Sequence, residues 1–129
     1  MNDLLLAIAL LSLALGALSG FAVLTCVDYP EKARALGVIN PMRIRQAHID
    51  WIVMGTVMVS TALAVPDMPG WIYGLVMFGG VVNPLTFVPM AFSKTVDTTQ
   101  AFRLVSLVSF TSLSLGLVLA AGHFISTHF

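Results

Sequence analysis

Four long apolar segments, with all six basic residues confined to two of the three connections between them, constrain this chain more than any other feature. The segments run Leu4–Cys26, Ala47–Val65, Trp71–Phe92 and Leu104–Ile125. Each is close to the ~20 residues that a helix needs to cross a ~30 Å hydrocarbon core. Lys32, Arg34, Arg43 and Arg45 fall between the first and second segments, and Lys94 and Arg103 between the third and fourth. The Pro66–Gly70 turn and both ends carry none. Short cytoplasmic loops hold the Lys/Arg excess, so the pattern predicts both basic connections in the cytoplasm and both termini on the other side, in a membrane of the bacterial inner-membrane type.

The bulk numbers agree with a membrane protein. A chain that is 58% hydrophobic and 9% charged, with a mean hydropathy of +0.97, lies far from the balance of a water-soluble domain. Residues 1–129 are expected to form one domain. Zero formal net charge argues against a nucleic-acid partner, and the basic residues are explained by orientation without a second role. Cys26 stands alone, which excludes an intrachain disulfide and points to packing. The first segment follows an uncharged-to-acidic Met-Asn-Asp start and is longer than the apolar core of a signal peptide, so it reads as a transmembrane helix.

Small residues recur at helical spacing in the first segment (Ser12, Gly16, Gly20) and in the last (Ser112, Gly116, Ala120). In lipid such stripes let helices approach closely, and the chain is expected to form an all-α, antiparallel four-helix membrane bundle with little room inside for a ligand. A ligand cavity would form more easily between subunits of a homo-oligomer. The hydroxyl residues Ser106, Ser109, Thr111, Ser112 and Ser114 are read as packing groups that bond back to their own helix carbonyls. Val27–Gln46 is the only long connection; Tyr29-Pro30, Gly37 and Asn40-Pro41 divide it into a short helix, Glu31–Leu36, and a turn. Trp71 and Tyr73, after the Pro-rich turn, are placed as interface anchors.

Three positions could carry chemistry. His48 and Asp50 lie at the cytoplasmic start of the second segment, in Arg-Ile-Arg-Gln-Ala-His-Ile-Asp-Trp. Ionisable groups at membrane depth default to a functional hypothesis with a named partner. For Asp50 the partners are Arg43, Arg45 or Arg103. His48 shares its helical face with Trp51, Ile52, Gly55 and Thr56, and Gly55 is expected to open space on that side. An imidazole beside a glycine gap with apolar walls suits an axial ligand to haem, although a hydrogen-bonded structural histidine fits the same pattern. His123 and His128 belong to the opposite membrane face, so each subunit offers one histidine to iron. Asn83 is the most polar residue of the third segment, and Pro84 after it blocks the helix bond to the Gly80 carbonyl. Asn83 either bonds a neighbouring helix or lines a small-molecule pocket.

Together these elements resemble the styrene oxide isomerase family of small four-helix membrane proteins. The resemblance rests on Ala47-His48 after a basic loop, on Gly55 seven residues later, on Asn83 in a Gly-rich third segment, and on the order and length of all four segments. It implies a trimer with haem b bound between subunits, His48 as the iron ligand, Trp51, Gly55 and Asp50 around the cofactor, and Asn83 as a catalytic group. It also implies a reaction in which ferric iron acts as a Lewis acid on an apolar epoxide entering from lipid, giving a carbonyl compound. The chain departs from the family pattern at Gln46, where the family has Arg, at Met54, where it has Asn, and at Phe87, where it has Tyr. Two further readings stand beside this one: a haem-binding membrane protein without isomerase activity, and a cofactor-free structural subunit of a membrane complex.

Overall fold

In the computed structural model, which describes Met1–Phe129, the chain is all-helical. The order is α1 (Asn2–Asp28), α2 (Pro30–Ala35), α3 (Pro41–Ala64), α4 (Gly70–Phe92), a single 3₁₀ turn (Val96–Thr98) and α5 (Gln100–His128). α1, α3, α4 and α5 are long and apolar enough to cross a membrane, and only 22–28% of each such span is buried within the chain. The remainder is left for lipid or for a partner.

The helices outrun the apolar segments that announce them. Pro41 occupies the first turn of α3, where its missing amide costs nothing, so Arg43 and Arg45 lie on the helix and not in a loop. α5 starts at Gln100 because Thr99 Oγ1 accepts from the Phe102 amide at 3.3 Å, which brings Arg103 into its first turn. The short helix α2 is displaced by one residue from the expected Glu31–Leu36, again with a proline in its first turn.

Small residues set which helices touch. A Cβ on Gly16 would meet Ile52, one on Gly20 would meet His48, and one on Gly55 would meet Leu13, so ascending positions of α1 face descending positions of α3. In the same way Gly80 faces Met58 of α3, while Gly79 and Gly116 join α4 to α5 through Leu113 and Val76. The four long helices stand in an open row, α1–α3–α4–α5; α1 touches α4 slightly and does not close on α5. The row therefore leaves the outer flanks of α1 and α5 largely free.

The tightest core lies where α1 begins, α3 ends and α4 begins. Leu5, Ala9, Met58, Ala62 and Val76 are fully buried there. Tyr73 belongs to this core and is not the interface anchor expected from sequence: its ring is 2% exposed and its hydroxyl donates to the Pro66 carbonyl. Trp71 is 60% exposed and free to act as an anchor. At the other end of the row the α2 linker takes the place of a core. Gly37, at φ +97°, turns the chain back, and the Ile39 and Asn40 amides both donate to the Ala91 carbonyl, at 2.9 and 3.1 Å. That carbonyl is one of the orphan acceptors at the end of α4, so the linker satisfies it and is clamped there.

Candidate functional site

The hydrogen bonds of His48 decide what its imidazole can do. Nδ1 lies 2.7 Å from the Gly16 carbonyl oxygen and 3.1 Å from Ser19 Oγ. A carbonyl only accepts, so Nδ1 carries the proton, and in the neutral ring Nε2 holds a lone pair. Ser19 Oγ itself donates to the same Gly16 carbonyl at 2.8 Å, which ties the three groups together. α1 can supply that carbonyl because Gly16 and Gly20 carry no side chain: Gly20 is where a Cβ would come 3.3 Å from His48 Cε1. The histidine is half-buried, and no hydrogen bond engages Nε2.

The neighbours named from sequence divide into two groups. Ile52 and Thr56 are exposed on α3, and with Ile49, which adjoins His48 in sequence and was not among those named, they leave a largely apolar flank open to lipid or to a partner. Trp51 and Gly55 are buried instead. The space expected at Gly55 is filled, since a Cβ there would meet Leu13 Cγ at 2.8 Å and the Ala9 carbonyl oxygen at 3.1 Å. Gly55 thus admits α1 against α3 and opens no space beside His48.

Asp50 is half-buried on α3 and pairs with none of the expected arginines. Arg43 Nη1 donates to Gln46 Oε1 at 2.7 Å, and Arg103 Nε donates to the Asp97 carbonyl at 3.3 Å. No three His, Cys, Asp or Glu side chains converge anywhere in the chain, so a metal bound by side chains alone has no cage, whereas a porphyrin-held iron needs one axial donor.

Asn83 stands apart from His48. Its Oδ1 accepts a hydrogen bond from Ser109 Oγ, which joins α4 to α5. Ser112 Oγ likewise crosses to the Leu75 carbonyl at 2.9 Å. Both hydroxyls therefore link helices and do not bond back to their own helix as expected; Ser106 Oγ is buried without a partner. Back-bonding occurs elsewhere, from Ser12 to Ile8 and from Thr61 to Val57. Within one chain, Asn83 and His48 serve different interfaces. His128, at the far end of α5, stacks on Phe124 with centroids 4.1 Å apart.

The Ser19–Gly16–His48 network was not foreseen from sequence. The signal is the Gly16/Gly20 spacing, which by itself indicates a packing stripe and not a carbonyl partner for His48. No family model, curated protein or solved structure matches the chain.

Proposed function

We propose that the chain is the protomer of an antiparallel, homo-oligomeric inner-membrane bundle, a trimer by its resemblance to the styrene oxide isomerases, that binds haem b through His48 Nε2 and converts an apolar epoxide to a carbonyl compound. The observation that carries this reading is the bond from Nδ1 to the Gly16 carbonyl. Donation to a backbone carbonyl fixes tautomer and ring orientation and leaves the Nε2 lone pair available, as outer partners of ligating histidines do. Bound haem iron would supply a Lewis acid toward the epoxide oxygen, so that ring opening and a hydride shift to the adjacent carbon need no co-substrate.

The chain's own residues contribute position and exclusion of water. Gly16 and Ser19 hold the imidazole, and Gly20 lets α1 pass against its edge. Ile49 and Ile52 keep the approach apolar, which suits a substrate arriving from lipid. Trp51, three residues on from the histidine, is buried on α3. Asn83, committed to Ser109 within its own chain, would meet the cofactor from a neighbouring copy, and Asp50 lies two residues beyond the ligand on the same helix.

The test is an absorption spectrum of the detergent-purified protein from haem-supplemented cells beside a His48→Ala preparation. A Soret band lost in the variant supports the assignment; a band unchanged in the variant overturns it. A colourless wild type would leave a cofactor-free structural subunit.

A second reading, haem binding without isomerisation, is favoured by the Asn83–Ser109 bond, which commits the expected catalytic amide to the α4–α5 interface. Met54 and Phe87 also stand where the family has an amide and a phenol. Haem-loaded protein given styrene oxide separates the two readings: phenylacetaldehyde supports the isomerase, and its absence with styrene oxide and bulkier epoxides supports the second.

A further inference from the structure

Two adjoining cavities lie where α1 and α4 end and α3 begins, around the clamped linker, with volumes of 390 and 240 Å³. They share Ile39 and Lys94. Arg34 lines the first and Arg43 the second, so Lys94 from the far connection joins one arginine of the linker in each cavity. The clamp that brings them together is the pair of bonds from the Ile39 and Asn40 amides to the Ala91 carbonyl.

The other basic residues are differently placed. Lys32 lies over the Tyr29 ring at 4.9 Å and Arg103 bonds the Asp97 carbonyl, while Arg45, exposed like Arg34 and Lys94, lines neither cavity. Arg34 and Lys94 make no side-chain hydrogen bond or ion pair within the chain, and Arg43 uses one donor on Gln46 and keeps the rest. Neutral donors complete the set. Ser93 Oγ accepts from the Thr95 and Val96 amides, at 3.3 and 3.2 Å, so its O–H remains to donate into the second cavity, beside Asn40. Asp97 is the single acidic residue on either lining, against three cations.

We propose that this paired cavity binds a phosphate group, and that its occupant is the phosphodiester headgroup of an anionic phospholipid. Arginine and lysine together with neutral donors match the several oxygens of a phosphate. Cys26, Ala33, Val38 and Pro41 give the first cavity an apolar side suited to a glycerol backbone, at the level where helix ends meet headgroups. The site gives the basic linker a binding role besides setting orientation, and it does not depend on haem.

The test is native mass spectrometry of the full-length protein in detergent, titrated with short-chain phosphatidylglycerol or phosphatidylcholine, with sodium phosphate as competitor. Wild type should prefer phosphatidylglycerol, and the double variant R34Q/K94Q should lose about tenfold in its affinity. The charge-matched double variant Lys32→Gln with Arg45→Gln should keep the preference. Competition by phosphate in the wild type alone would assign the site to the phosphate itself, whereas lipid binding that phosphate does not displace would assign it to the headgroup in its lipid setting. If R34Q/K94Q does not fold, the single variants R34Q and K94Q, each expected to weaken binding about threefold, take its place. Equal loss in the charge-matched control, or undiminished binding in R34Q/K94Q, would overturn the proposal in favour of diffuse surface charge.

Discussion

His48 Nδ1 donates to the carbonyl oxygen of Gly16 over 2.7 Å, from the second turn of α3 to the middle of α1. A backbone carbonyl cannot be removed by substitution, so the second partner, Ser19 at 3.1 Å, is the one open to test. If His48 holds haem as proposed, Ser19→Ala should lose less than about tenfold in haem affinity, because the shorter bond survives, while His48→Ala should abolish binding. Haem titration followed at the Soret band measures both; equal loss in the two variants would show that the hydroxyl, and not the carbonyl, holds the ring.

Glycines in contact and glycines in open space should respond in opposite ways. A Cβ on Gly79 would lie 2.5 Å from Leu113 Cβ and 2.7 Å from its backbone nitrogen, and backbone cannot swing aside. Gly79→Ala should therefore destabilise the α4–α5 pair by about 1–3 kcal/mol or more. Gly74 and Gly122 have nothing within 4 Å, and alanine there should be neutral or slightly stabilising through helix propensity. Thermal or denaturant unfolding in detergent ranks the three.

The α1–α3 contact allows a rescue experiment. A Cβ on Gly55 would meet the Leu13 side chain at 2.8 Å, so Gly55→Ala should cost about 1–3 kcal/mol. Adding Leu13→Ala should recover part of that loss, with a coupling of at least about 0.5 kcal/mol, since the two residues share one space. Strict additivity would mean that the Ala9 carbonyl, at 3.1 Å, is the true obstacle.

Tyr73→Phe isolates the hydroxyl that closes the α3–α4 turn. Its oxygen donates to the Pro66 carbonyl and lies 3.4 Å from both the Val65 carbonyl and Asn2 Oδ1. Removing it should cost about 0.5–1.5 kcal/mol and leave the ring packing intact. An unchanged unfolding midpoint would show that water or lipid headgroups satisfy Pro66 equally well.

How far the sequence foretells this structure depends on the range of the interaction. The four helices long and apolar enough to cross a membrane follow from apolar runs of sufficient length, a property local to each segment. Their ends did not, because Arg43, Arg45 and Arg103 interrupt hydropathy without interrupting a helix whose first turn is set by Pro41 or Thr99. The Gly16/Gly20 and Gly116 stripes announced close contacts but not their partners: nothing in α1 alone says that it closes on α3 and leaves α5 free. The linker clamp was illegible for the same reason, since the Ala91 carbonyl is an acceptor in any sequence. Candidate chemistry was legible at His48, where residue type is informative; the carbonyl that fixes its tautomer was not.

Asn83 and Ser109 carry the last prediction, because their bond bears on both stability and function. Intramembrane hydrogen bonds between helices contribute on average about 0.6 kcal/mol, with a maximum near 1.7. A cycle of Asn83→Leu, Ser109→Ala and the double variant should give a coupling in that range, read from unfolding in detergent. Asn83→Leu should lower any epoxide turnover by more than Ser109→Ala if the amide also touches substrate in a neighbouring copy. If the bond matters only to packing, the two variants should lower turnover alike, in step with their loss of stability. The ratio of the two effects, measured at equal haem occupancy, therefore separates a catalytic amide from a helix-pairing one.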